Sequence, residues 1–269
     1  MVTINSNYAA SFAANAAKQT QGDLNSAMEK LSTGKRINFA KDDAAGSAIA
    51  MRIAAEVSGL RVASRNASDG QSLIDTADGA LKETHSVLLR MRELAVQAQN
   101  GTLATADVSA LGVEFDALES EIDRISTSTT WGGKEILDGS FSTGTELNID
   151  VGSASPITHL IKDLDAAGLG FSTHAVGDTA TIGMLDTAIA TLSEERAKLG
   201  AVSNRLDSTV ANLDQIRVNL SASQGRIEDA DFAQETANLA KGQILQQAAT
   251  AMVAQANASK STVLTLLRG

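Results

Sequence analysis

Leu185, Leu192, Leu199, Leu206, Leu213, Leu220 and Ile227 recur every seventh residue without interruption, and no proline falls in that run. A seven-residue apolar repeat lays one stripe along an α-helix and requires another helix to cover it. At 1.5 Å per residue the run predicts a rod of roughly 65 Å, longer than a compact domain of this size needs to be wide. A second strict heptad, Ile53, Leu60, Ala67, Ile74, Leu81, Leu88 and Ala95, predicts a rod of similar length. Asp42 or Asp43 is placed to cap its start, and Asn100-Gly101 to end it. Val108, Leu111, Phe115, Leu118, Ile122 and Ile125 then alternate steps of three and four, which predicts a third helix that doubles back. Three helices with matching stripes make a bundle.

The two ends read differently. Ile4, Tyr8, Phe12, Leu24, Met28 and Leu31 are at helical spacing within residues 1–33, and Ser32-Thr33-Gly34 is a helix stop. A last helix is expected over about 231–266. From Trp131 to Gly183, glycines and the single proline, Pro156, punctuate short alternating segments such as Thr145–Val151, which predict strands and turns. Aromatic residues are only 3% of the chain, so the interior is built from thin layers of Ala, Leu, Ile and Val, as in a helix bundle. The expected fold is mainly α. A long coiled-coil-like bundle occupies 43–228, with a small β-rich segment at about 131–183, and both termini, 1–42 and 229–269, pair as a separate domain.

Residues 1–17 carry no charged side chain, and neither does the stretch 242–259. Gln243, Gln246, Gln247, Gln255 and Asn257 make the second stretch too polar for a membrane span. A charge-free, Ala-rich helix is suited to close packing on several sides by other helices. Two such helices cannot cover each other fully, so the remaining faces require copies of the same chain. The core of that assembly is expected at Ile4, Tyr8, Phe12, Leu239, Ile244, Leu245, Met252, Leu264 and Leu267. Gln243, Gln246, Gln247 and Asn257 are expected to face water, in a central channel.

Several functions are disfavoured. A net charge of −10 argues against a phosphate backbone as partner. The absence of cysteine excludes disulfides and thiol chemistry. His85, His159 and His174 are widely separated, no metal-ligand spacing appears, and there is no phosphate loop or nucleophile elbow. Each histidine is expected at the surface or in a loop, and Glu194-Glu195 on a solvated helix face or in an interhelical ion pair. No enzyme, metal or cofactor is expected. The N-terminus has neither a basic nor a continuous apolar region of the kind a cleavable secretory signal needs, so export would use another route.

Six ordered segments carry a family resemblance: Leu31–Asn38 (LSTGKRIN), Lys41–Gly46 (KDDAAG), Arg65–Gly70 (RNASDG), Arg92–Gln97 (RELAVQ), Arg226–Phe232 (RIEDADF) and Gln243–Ala248 (QILQQA). Together they closely resemble bacterial flagellin, over about residues 1–140 and 185–269. The resemblance implies a structural subunit of the flagellar filament, exported unfolded by the flagellar type III apparatus with an export chaperone. It would polymerise into a helical tube for motility, and meet filament cap and hook-junction proteins. The paired terminal helices would form an inner core and the bundle an outer wall, without large outer domains. A hook–filament junction protein, or a cell-surface binding protein of the same family, is the alternative. Arg90, Leu94 and Glu114 match family positions implied in a subunit interface and in recognition by a vertebrate Toll-like receptor. Because Leu94 lies off the stripe through Leu88 and Ala95, its truncation is expected to spare the fold. Two departures from the family stand out. Ala258-Ser259-Lys260-Ser261 replaces a segment that commonly holds proline, and Gly225, where Ser or Arg is usual, should loosen the helix by about 1 kcal/mol relative to Ala.

Overall fold

The computed structural model describes residues 6–139, 147–152, 156–171 and 175–268, with Leu147, Asn148 and 260–268 described by their backbone alone. Five helices run through these residues: α1 (Tyr8–Thr33), α2 (Ala44–Ala98), α3 (Thr105–Ser128), α4 (Thr179–Glu228) and α5 (Phe232–Arg268). Two short antiparallel hairpins lie between α3 and α4 in sequence. One pairs β1 (Thr130–Trp131) with β2 (Lys134–Glu135), the other β3 (Leu147–Ile149) with β4 (Ile157–His159).

Local chemistry sets the boundaries. Asn7 Oδ1 accepts the Ala10 N–H at 3.1 Å and caps α1. Gly34 ends it at φ 70°, in the left-handed region that suits glycine, with its N–H donating to the Lys30 carbonyl. At the start of α2 the cap is Asp43, whose Oδ1 accepts the Gly46 N–H at 2.9 Å. Asp42 instead accepts the N–H groups of Asn38 and Phe39 and holds the connection between the helices. The Phe39 bond, opposed by burial and helped by the Asn38 bond and nearby lysines, keeps its carboxyl below the usual carboxylate range. Gly132 and Gly133, both at positive φ, make the two-residue turn of the first hairpin.

The expected strand-rich middle is narrower than its glycine pattern suggests. Of Thr145–Val151, the described part is a strand only over Leu147–Ile149, and α4 already begins at Thr179. Gly225 does not interrupt α4, which stays helical to Glu228 and closes with the Asp229 N–H on the Gly225 carbonyl. The helical backbone of α5 likewise passes through Ala258–Ser261 to Arg268.

The chain divides into two packed units, one of Met1–Val57 with Asn219–Gly269 and one of Ser58–Val218. In the second unit the heptad stripes meet as expected. Leu185, Leu192, Leu199, Leu206 and Leu213 are buried with Ala67, Ile74, Leu81, Leu88 and Ala95, and Phe115 and Ile122 of α3 join them. Crossing pairs fix α2 and α4 antiparallel: Gln71 with Asp207, Asp78 with Arg196 through two bonds of 2.7 and 3.1 Å, and Arg92 with Asp186 at 2.6 Å. The segment after β4 is not a separate layer, because Ile161, Leu164, Leu169, Phe171 and Val176 are buried in the same core.

In the first unit, α1 and α5 lie antiparallel. Asn7 Nδ2 reaches the Ala256 carbonyl, Gln246 Nε2 donates to Gln21 Oε1, and Lys30 pairs with Glu235. Ala10, Ala13, Ala17, Thr20, Leu24, Ala27 and Leu31 are buried or half-buried positions along one side of α1, with Ala14, Glu29 and Lys30 half-buried beside them. They repeat in steps of three and four, as do Glu235, Leu239, Gly242, Gln246, Ala249, Val253 and Ala256 on α5. These are two coiled-coil seams made mostly of small residues, which let the backbones approach. Leu24 fills the space over Gly242, where an added Cβ would lie 3.5 Å from that of Leu24. The turn between α4 and α5 is tied to the end of α1 by Arg36 N–H on the Glu228 carbonyl, Ala230 N–H on the Gly34 carbonyl, and a 2.9 Å Lys35–Glu228 ion pair.

Candidate assembly interface

Because each terminal helix spends its inward seam mostly on small residues, with Leu24, Leu31 and Leu239 as exceptions, most of its large apolar side chains point elsewhere. Tyr8 and Phe12, one turn apart on α1, are 73% and 78% exposed, and on α5 Ile244, Leu245 and Met252 are also exposed. Full burial of a side chain of this size stabilises by about 1.5–3 kcal/mol, so leaving a row of them in water is costly unless something covers it. Of the expected core set, Leu239 is half-buried on the seam facing α1. Ile4 and the side chains of Leu264 and Leu267 lie outside the described residues. The sequence reading missed Met51 and Phe232, which are 62% and 66% exposed in the same unit. Neither sits in a periodic stripe strong enough to mark it.

The glutamine row is split. Gln243, Gln247 and Asn257 are exposed, and Asn257 accepts a bond from Asn7. Gln246 is a correction to the expected solvent-facing set. It occupies a seam position, its amide donates to Gln21 at 2.7 Å, and its Oε1 is buried. Acidic and basic residues nearly balance in this unit, and the net negative charge is concentrated in Ser58–Val218.

In the second unit, Arg90 and Glu114 are brought together as an exposed pair at 2.8 Å, joining α2 to α3. The hydrogen bond to Glu114, followed by that to Glu93, raises Arg90 above its ordinary value. Leu94 is not part of that surface. It is fully buried, because α2 is covered over a stripe wide enough to take Met91 and Leu94 as well as Leu88 and Ala95. The expectation that Leu94 makes an external contact, and that its truncation spares the fold, is therefore overturned.

A buried contact between a histidine and a carboxylate was also unforeseen. His159 of β4 is neither a surface nor a free loop residue; its Nε2 lies 3.2 Å from Glu195 Oε1, and the Glu195 side chain is 1% exposed. Glu195 thus departs from the solvated face or interhelical ion pair expected for it, meeting a strand histidine and Lys198 of its own helix, while Glu194 stays outside, pairing with Lys198. Burial by itself would raise Glu195, but the bond from His159 and the charges of His159, Lys198 and Lys162 outweigh it and hold the carboxyl below its ordinary value. A carboxyl lowered in the folded state contributes stability above the unfolded value near 4.3, and that stability is lost as pH falls through the folded value. Glu195→Ala is expected to destabilise the second unit by about 1–3 kcal/mol at neutral pH, because it removes the buried hydrogen-bond partner of His159. Glu195→Gln should flatten the fall of melting temperature below about pH 4.5. Unfolding by circular dichroism across pH 3–7 checks both. His85 is half-buried and His174 lies outside the described residues. Among the described residues no group of His, Asp and Glu is placed to hold a metal ion, and no helix is long and apolar enough to cross a membrane.

Comparison with known proteins places these features. The bacterial flagellin N-terminal helical region matches residues 4–142, and the bacterial flagellin C-terminal helical region matches 182–267. A flagellin of Bacillus subtilis is 42% identical over 98% of this chain and 99% of its own length. One of Halalkalibacterium halodurans is 44% identical over 90% and 91%. A solved structure of a putative flagellar hook-associated protein from Vibrio parahaemolyticus superposes with a TM-score of 0.60, over 70% of this chain and all of that one. At 12% identity that likeness is one of fold alone. With α1, α2, α3 and nearly all of α4 and α5 inside the two matched regions, the chain belongs to the bacterial flagellin family and is a structural subunit of the flagellar filament.

Proposed function

We propose that the chain leaves the cell unfolded and polymerises with copies of itself into a helical tube, outside the bacterium, that serves motility. The observation that carries this reading is the row of large apolar side chains left open on α1 and α5, from Tyr8 and Phe12 to Ile244, Leu245 and Met252. Copies of the same pair are the natural cover, since a surface that is nearly neutral and rich in alanine suits helix against helix. Residues 1–42 and 229–269 then form the inner core and 43–228 the surrounding wall. Ile4, Leu264 and Leu267 extend the same apolar set, and Gln243, Gln247 and Asn257 line a channel with neutral hydrogen-bonding groups.

The remaining partners follow from that role. The unfolded chain engages the flagellar type III export apparatus and an export chaperone, and the growing tube meets the cap and hook-junction proteins. Exposed Arg90 and Glu114 support a contact surface between subunits, which a vertebrate Toll-like receptor would read when subunits are free. Purified chain supplied with short filament seeds is expected to grow long tubes visible by electron microscopy. Seeds that fail to elongate at any protein concentration, in solutions where the monomer is folded, would sink the proposal.

A further inference from the structure

Two surfaces of the second unit fit each other without touching. A groove of about 760 Å³ has an apolar floor of Leu60, Ile157, Leu213 and Ile216, and Arg205 is the one charged side chain among its lining residues. Asn204, Ser208 and Asn212 follow one another along α4 at its edge, four residues apart, so the groove has the straight wall that a helix face needs. The other surface is the outer face of α3. There Val113, 70% exposed, is the most open large apolar side chain among the described residues of the unit. Small exposed residues, Ala106, Ser109, Ala110 and Ala117, flank it. The hollow beside it, of about 420 Å³, again has one charged lining residue, and that residue is Asp116. Among the described residues neither Arg205 nor Asp116 has an ion-pair partner.

The two surfaces sit toward opposite ends of the unit. From Leu60, in the groove, to Arg90, which holds Glu114 of α3, the helix α2 rises about 45 Å at 1.5 Å per residue. Complementary surfaces displaced along one axis close a twofold dimer when two copies lie antiparallel and repeat head to tail in an open row when they lie parallel. Subunits of one helical filament share their axial direction, so here they form the row.

We propose that the groove around Arg205 receives the α3 face of a second copy of this chain, with Val113 seated on the apolar floor and Asp116 paired to Arg205. This rests on the filament reading above and names one contact within it. It gives the acidic wall units a place of local attraction, and successive copies along such a row are displaced by about one α2 span of 45 Å.

Charge reversal tests it directly. Arg205→Glu and Asp116→Arg are each expected to raise the critical concentration for seeded polymerisation by about tenfold or more, because each places like charges opposite one another across the contact. The double variant should return it most of the way to the parent value, and the single-variant effects should shrink as salt is raised. Circular dichroism of the monomers establishes that all variants fold. As the chain has no cysteine, a Val113→Cys, Ile216→Cys variant assembled into filaments and oxidised should yield a ladder of linked copies. Single variants that assemble like the parent, or a double variant no better than either single, would overturn the contact while leaving the filament reading intact. A parent chain that forms no filament removes both.

Discussion

Removal of residues 1–33, or of 235–269, is expected to abolish polymerisation while the unit Ser58–Val218 stays folded. The two units differ sharply in what they bury. Ser58–Val218 encloses Phe115, Phe171, Ile161 and the heptad leucines, a core large enough to hold its own fold. In the other unit the buried apolar residues among those described are Ala13, Ala27, Ile37, Ala50 and Ala256. Ordering a residue costs about 1–2 kcal/mol of backbone entropy, which alanine-sized burial offsets poorly, so this unit depends on cover from neighbouring copies. Sedimentation of the truncated chains, with circular dichroism and a thermal melt alongside, is the measurement. Truncated chains that still pellet as filaments would show that the terminal helices are not the assembly core.

Leu94→Ala is expected to act on the fold, with a loss of about 2–5 kcal/mol in the unfolding free energy of the second unit. The side chain is enclosed in the core formed by Met91, Leu88 and Phe115, so truncation removes apolar burial and leaves a cavity. Val113→Ala, on the open face of α3, should change stability by less than about 0.5 kcal/mol. Urea titration of both variants separates them: a Leu94→Ala midpoint equal to that of the parent would show that the site collapses around the loss.

The heptads carried the long helices into plain view, and Gly34 and Asp43 marked the end of α1 and the start of α2 to within a residue or two, whereas the Asn7 cap was not read from the sequence. What the sequence did not reveal was how many sides of a helix are covered. One stripe on α2 is legible as Leu81, Leu88 and Ala95, but the inward turn of Leu94 depends on what the rest of the unit brings alongside. Gln246 was misplaced for a related reason: it shares a glutamine-rich stretch with Gln243 and Gln247, and only pairing with α1 singles it out as a seam residue. The His159–Glu195 contact joins residues 36 apart through a hairpin whose course has no periodic signal, so neither partner could be read from its own surroundings. The open face of α1 and α5, by contrast, was visible from the lack of charge.

The alanine-lined seam of the terminal helices bears on how such a subunit can be delivered. Alanine and glycine have no rotamer freedom to surrender, so bringing α1 and α5 together immobilises mainly backbone, and few side chains must find a single orientation. On the export route proposed above, rejoining after passage as an extended chain becomes a matter of sliding two smooth surfaces into register, with Leu24 over Gly242, Gln21 against Gln246 and Lys30 beside Glu235 among the features that stop the slide. A seam crowded with long side chains would hold more tightly, yet each arriving copy would have to solve a packing problem at the growing end.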